Sequence, residues 1–200
     1  YRKVALWYTY SKRSMDINRL EGYDVKLEER MVSSQTIFEG HLIKVTLDEA
    51  ELPNGKLAGR EVVYHPGGVT VLALGEDGTV PLVRQYRYPI QSLLLELPAG
   101  KLDKDAEDQL EAAKRELSEE TGLEAEKWTY LGSMLVSPGF CDERLHMYLA
   151  QDLKRIGQHL DEDEFLNVER IPFDEMVRRC LSGEIQDAKT VVAVLKAKLL

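Results

Sequence analysis

Two hundred residues, 44% of them hydrophobic, are enough for one sizeable core or a core with a small satellite unit. A formal net charge of −9 at pH 7 excludes a chain that holds nucleic acid or an anionic membrane through its overall field, and leaves an anionic ligand open where local arginine or metal ions reverse the sign. No apolar run reaches the roughly 18 residues of a membrane span, and Cys141 and Cys180, far apart and without metal-ligand spacing, read as reduced thiols of a cytoplasmic protein.

In chain order, YRKVALWYTYSKRS is basic and aromatic, and Met15 followed by DINRLEGYDVKLEER reads as a natural start. Tyr1–Ser14 is therefore expected to be non-native or upstream sequence, or else a strand laid on the body. LEERMVSSQTIFEG, HLIKVTLDEAEL, a turn at Pro53-Asn54-Gly55 and REVVYH predict a small antiparallel unit over 27–65, so that 15–65 forms an N-terminal β unit and 66–200 a larger one. Pro66-Gly67-Gly68 punctuates the chain, VTVLAL follows, and Gly75-Glu76-Asp77-Gly78 is expected to make a hairpin with TVPLVRQYRYP. LLLELPAG reads as a buried strand ending in a Pro-Gly loop. An acidic helix is predicted from about Ala106 to Thr121, with Asp105 as N-cap and Gly122 just past its end. Strands are expected around WTYLGSM and LHMYLA, with the loop SPGFCDE between them. After the acidic DEDE stretch come a strand, FLNVERI, and two helices, PFDEMVRRCLSG and DAKTVVAVLKAKLL. Strands and helices mix without strict βαβ alternation, which predicts an α+β fold with a mixed sheet sandwiched by helices.

The acidic helix carries an electrostatic cost. Glu116, Glu119 and Glu120 fall in its last turns, where the negative end of the helix dipole disfavours each carboxylate by about 0.3–1 kcal/mol. Glu116 and Glu120 are also like charges one turn apart, a further loss of roughly 0.2–0.5 kcal/mol. Helical periodicity puts Leu110, Ala113, Leu117 and Thr121 on one stripe facing the sheet, with Glu116 and Glu120 beside it and Glu119 one step round. Carboxylates so spaced converge at the edge of buried structure. A hard divalent cation, Mg²⁺ or Mn²⁺, removes the conflict, and two or more such ions suit cleavage of a phosphate anhydride. On helical spacing alone, a solvated acidic face explains the same residues. Glu111 and Glu119, each one turn away, are the expected partners of Arg115. Glu96, inside an apolar strand, is expected to meet an arginine, ligand or metal, because a buried unpaired carboxylate is costly. Arg84 and Arg87 should point to opposite sides of a regular strand, leaving one as a surface charge.

Gly100, Glu107, Arg115, Glu116, Leu117, Glu119, Glu120, Gly122 and Leu123 together resemble the Nudix box, the signature of the Nudix hydrolase family. One departure is visible: six residues, Lys101 to Ala106, separate Gly100 from Glu107, one more than the pattern has. The extra residue falls in the loop before the helix and leaves the carboxylate phase untouched. The phrases VRQYRYP and LLLELPAGKLD, with Pro138 downstream of the box, are similar to the ADP-ribose pyrophosphatase branch, and this resemblance runs over roughly Leu27–Leu200.

The resemblance implies a Nudix-type α/β/α sandwich with a mixed sheet, plus the small N-terminal antiparallel β unit. It implies Glu116 and Glu120 as principal metal ligands, Glu119 and the Ala99 carbonyl as further ones, and Mg²⁺, with Mn²⁺ as the alternative ion. Arg115 would hold helix and loop together within the catalytic group, and Gly100 and Glu107 would support the loop. Arg87 would face the diphosphate or terminal ribose, with Glu96 and Pro138 at the substrate. A glutamate of the acidic loop, Glu162 with Glu164 as runner-up, would be the base. The implied reaction is hydrolysis of ADP-ribose to AMP and ribose 5-phosphate, by a homodimer whose N-terminal units meet the partner copy and help wall the adenosine pocket. Another nucleoside diphosphate sugar or dinucleotide is the alternative substrate, and a module that binds ADP-ribose without cleaving it is the alternative class.

Overall fold

In the computed structural model of the chain, residues 27–102, 107–160 and 164–200 are described. The expectations for Tyr1–Ser14, Asp105 and Glu162 fall outside them. The first sheet is antiparallel, β1 (Arg30–Glu39), β2 (Lys44–Glu51) and β3 (Leu57–Tyr64), in that spatial order. Its second strand alternates with the strand period: Thr46, Asp48 and Ala50 are buried, Leu47 and Glu49 exposed. The turn at Gly55 (φ +79°) is closed by the Asn54 side chain, which accepts the Lys56 N–H at 3.0 Å.

The remaining chain builds two further sheets. β4 (Gly68–Ala73) is buried throughout, as a central strand covered on both faces must be. It pairs in parallel with β9 (Arg144–Arg155) and antiparallel with β7 (Ala99–Lys101), and β8 (Leu123–Leu135) completes a mixed sheet in the order β7-β4-β9-β8. A separate antiparallel sheet has the order β10-β5-β6, from β10 (Leu166–Pro172), β5 (Thr79–Arg87) and β6 (Ser92–Glu96). The helices are α1 (Gln109–Thr121), α2 (Phe173–Ser182) and α3 (Ala188–Lys198). None of the described helices is long and apolar enough to cross a membrane.

Two core layers follow from the alternation of β4. Val69, Val71 and Ala73 face α1, meeting Ala112, Ala113 and Leu117, while Leu72 faces the other way into a core shared with β5, β6, α2 and α3. The mixed sheet is thus covered by one helix on one side, and by helices and the second sheet on the other.

Two expectations are corrected here. Gly75–Gly78 does close a tight loop, with the Gly75 N–H donating to Thr79 O at 2.9 Å, yet its arms do not pair as a hairpin. Both edges of β4 are already taken by β7 and β9, so β5 diverges into the other sheet. LLLELPAG is likewise not one strand. Pro98 has no N–H to continue a ladder, and its carbonyl accepts Val71 N–H at 2.9 Å and the Thr70 hydroxyl at 3.1 Å, so the chain crosses from β6 in one sheet to β7 in the other.

Candidate active site

The carboxylate helix begins later than its sequence pattern predicts. Residues 107 and 108 are non-helical, and Asp108, not Asp105, is the cap: its carboxylate accepts from Leu110 N (2.9 Å) and Glu111 N (3.2 Å). The far end is as expected, with Gly122 left-handed at φ 66° and its N–H on Ser118 O. Between these ends Ala112, Ala113 and Leu117 pack on the mixed sheet, and the same phase carries Glu116 and Glu120 inward to 6% and 2% exposure. Glu119 is half-buried.

Each buried carboxylate meets the β7 strand. A Cβ on Gly100 would fall 1.9 Å from Glu116 Oε1, so only glycine lets the strand approach. Glu120 Oε2 accepts the Ala99 N–H at 3.0 Å. Arg115 ties helix to loop: Nη1 donates to Glu116 (2.8 Å) and Glu119 (3.1 Å), Nε to Glu107 (3.3 Å) and Nη2 to Lys101 O (3.3 Å). Glu111 does not join it, being held by Lys114 at 2.7 Å.

Burial dominates the electrostatics. It pushes the Glu116 carboxyl up to about 7, with Arg115 pulling the other way and Glu119 and Glu164 adding repulsion. Glu120 is pushed up to about 8, again chiefly by burial; the Ala99 N–H opposes this, while Glu116 and Glu164 reinforce it. Glu164 therefore stands close enough to act on both, and it lines the same cavity.

That cavity has a volume of about 700 Å³, with Glu116, Glu119, Glu120 and Glu164 along one side and Arg87 and Lys189 in the opposite wall. Arg87 donates through Nε and Nη2 to the two oxygens of Glu96, 2.8 Å each, and Glu96 is only 1% exposed. Lys189 binds the same carboxylate and also Asp187, at 3.0 Å. Burial would raise the Glu96 carboxyl, but Arg87 and Lys189 outweigh it and hold the group below the ordinary carboxylate value. Arg84 points away, paired with Glu169 of β10.

Of the residues predicted from sequence, Ala99, Gly100, Arg115, Glu116, Glu119, Glu120, Glu164, Arg87 and Glu96 all line this cavity. Glu107 joins through Arg115. Pro138 does not line it; it is exposed in a turn whose neighbour Phe140 takes the Val63 N–H of β3 at 2.7 Å. The lining also includes Lys189, Asp187, His65 and Glu143, which sequence reasoning missed. Only Lys189 left a trace there, as a lysine on the apolar stripe of α3.

Among the described residues, no three acidic, histidine or cysteine side chains gather into a preformed metal cage. Arg115 draws Glu116 and Glu119 to itself, and Ala99 holds Glu120. By kind the donors nevertheless fit a hard divalent ion: they are carboxylate oxygens, two of them buried and uncomfortable as bare charges.

A family model described as the NUDIX domain matches residues 64–193, and one described as the nucleoside diphosphate sugar hydrolase N-terminal domain matches 29–63. The chain is 43% identical over 169 residues to the methanol dehydrogenase activator of Bacillus methanolicus, covering 84% of this chain and 91% of that one. It is 42% identical over 170 residues to the ADP-ribose pyrophosphatase of Bacillus subtilis (strain 168), with the same coverage of 84% and 91%. A solved structure of an ADP compounds hydrolase superposes with a TM-score of 0.76 at 25% identity, over 88% of this chain and 95% of that one. Matched in this way along both its sheet-and-helix body and its N-terminal sheet, the chain belongs to the Nudix hydrolase family.

Proposed function

We propose that this chain hydrolyses the diphosphate of ADP-ribose to AMP and ribose 5-phosphate. The observation that carries the reading is a cavity with four carboxylates along one side and Arg87 with Lys189 in the wall opposite. A diphosphate bridging those sides meets cation-binding oxygens at one end and a guanidinium fork at the other. The names of the Bacillus subtilis relative and of the solved neighbour support an ADP-containing substrate. The Bacillus methanolicus relative bears another name at nearly the same identity, so kinship by itself does not choose the substrate.

Glu116, Glu119 and Glu120, with the Ala99 carbonyl, would hold Mg²⁺, or Mn²⁺ in its place. When bound, the ion supplies charge neutralisation for the phosphate oxygens and makes water easier to deprotonate. The residues themselves do the rest. Arg87, fixed edge-on by Glu96, orients the diphosphate, and Arg115 keeps the α1 carboxylates in register with the β7 loop. Of the two acidic-loop candidates, Glu164 is the one whose described position is in the cavity, and it would take the proton from the attacking water.

The same reading includes a homodimer and the division into a 15–65 β unit and a 66–200 catalytic domain. Support comes from β1, which is exposed along its whole length and carries Met31, Val32, Ile37 and Phe38 uncovered. Cytoplasmic placement is supported by two free thiols, Cys141 and Cys180. AMP release from ADP-ribose with Mg²⁺, compared in wild type and Glu120→Gln and set beside GDP-mannose and NADH, tests the proposal. Turnover that is highest on ADP-ribose and collapses in the variant supports it. Binding of ADP-ribose without release points to a sensing module instead.

A further inference from the structure

One member of the cavity's cationic wall has no part in the chemistry above. Lys189 lies on the inward stripe of α3 with Thr190, Ala193 and Val194, and is 9% exposed. An ammonium so placed needs anionic partners, and it has two, Glu96 and Asp187. Asp187 in turn caps α3, accepting the Thr190 N–H at 3.1 Å, and the Thr190 hydroxyl accepts the Leu97 N–H at 2.9 Å. A single turn of α3 therefore grips the end of β6 twice, Glu96 by charge and Leu97 by its backbone.

This double grip bears on Arg87. Its Nε and Nη2 are both committed to Glu96, which leaves Nη1 outside the fork. The four side chains form a balanced set of two cations and two anions. Arg87 is 40% exposed, against 1% for Glu96, 10% for Lys189 and 14% for Asp187, so a ligand meets the guanidinium first. A carboxylate held by Arg87 alone could swing with it. Anchored to a helix by a second cation, it becomes a fixed post.

We propose that Lys189, supported by Asp187, is a positioning residue: it fixes Glu96 so that Arg87 presents its free edge to the substrate's diphosphate. The proposal rests on the ADP-ribose reading for the identity of that substrate.

The test compares wild type, Lys189→Met, Lys189→Arg, Asp187→Asn, Glu96→Gln and the Glu96→Gln/Lys189→Met double variant. KM and kcat for ADP-ribose are measured with Mg²⁺, and Kd for ADP-ribose and for inorganic pyrophosphate by calorimetry without divalent ion. Thermal unfolding of each variant is followed alongside. Lys189→Met is expected to raise KM and both Kd values roughly tenfold with a smaller change in kcat, and Lys189→Arg to recover most of the loss. Asp187→Asn, which keeps a capping oxygen, should shift KM the same way by less. In the Glu96→Gln background Lys189→Met should add nothing further. Unchanged KM and Kd with a lowered melting temperature would make Lys189 purely structural. A full additional loss in the Glu96→Gln background would mean that Lys189 touches the ligand itself. Wild type that releases no AMP would sink the substrate reading alone, because the pyrophosphate series still decides the role of Lys189.

Discussion

Replacing Gly100 by alanine asks whether the Glu116 carboxylate must stand where it does. The new methyl carbon would lie 1.9 Å from Oε1, 2.0 Å from Cδ and 2.4 Å from Oε2 of Glu116, so the two groups cannot coexist. The colliding atoms are the end of a flexible side chain, which can swing aside without moving the backbone. That swing gives up the Arg115 hydrogen bond of 2.8 Å, worth about 1–3 kcal/mol. It also lets a carboxyl that burial has pushed up to about 7 regain water, which offsets much of the loss. The net change in stability should be about 1 kcal/mol or less, a melting shift of roughly 2–4 °C for a chain of this size. Activity should respond far more. Reaching an ordinary contact distance requires the carboxylate to move by about 1 Å or more, and a misplacement of that size costs on the order of 10²-fold in rate. Kinetics of AMP release and a thermal melt on the same preparation separate the two effects. Wild-type turnover in Gly100→Ala would refute the placement of Glu116 at the chemistry, and a collapse of the melt would refute the claim that only a side chain yields.

Glu120→Gln should abolish turnover yet stabilise the metal-free protein above neutral pH. Its carboxyl is raised to about 8 in the fold, so between the ordinary carboxylate value and about 8 the folded state keeps a proton that the unfolded state loses, and wild-type stability falls as pH rises through that window. Urea melts of both proteins at pH 5 and pH 8.5 in a chelator check the sign: the variant's advantage should appear at the higher pH and vanish at the lower. Arg87→Lys keeps the charge but loses the fork to Glu96, and should raise KM about tenfold with kcat nearly unchanged, as steady-state kinetics would show. Leu117→Ala opens a cavity between α1 and the mixed sheet where Leu117 has no exposure, and should cost about 2–5 kcal/mol in a denaturant titration.

What was legible in the sequence was what depends on near neighbours. The phase of Glu116, Glu119 and Glu120 follows from helical period alone, and Gly122 from the need for a left-handed residue at the helix end. Asp108 displaced Asp105 as the cap because the stretch DKDAED offers three aspartates, and local pattern cannot say which of them reaches the first free N–H groups. The divergence of β4 and β5 was hidden for a different reason. Turn chemistry at Gly75–Gly78 says how the chain reverses, while the occupancy of the β4 edges is decided by β7 and β9, the latter more than 70 residues further on. Lys189 was hidden by the same long range: a lysine on an apolar stripe makes sense only once Glu96, 93 positions earlier, is seen beneath it.

The position of the site follows from the break at Pro98. A continuous strand through LLLELPAG would have spent every N–H on one sheet. Because Pro98 has no donor and its carbonyl is claimed by β4, the chain turns there, and the next N–H, that of Ala99, reaches Glu120. One residue further, Gly100 passes close enough to Glu116 that no side chain fits between them. On the other side of the same corner, Glu96 and Leu97 are pinned by the first turn of α3. Five successive residues, Glu96 to Gly100, thus join the cationic wall of the cavity to its carboxylate side. Helical spacing explains how the α1 glutamates come together; it is the sheet change that brings Arg87 and its fixed partner to face them. The electrostatic loss visible in α1 taken alone is therefore not a flaw of that helix, because the repelling carboxylates are held by groups, Arg115, Ala99 and Gly100, that this corner delivers to them.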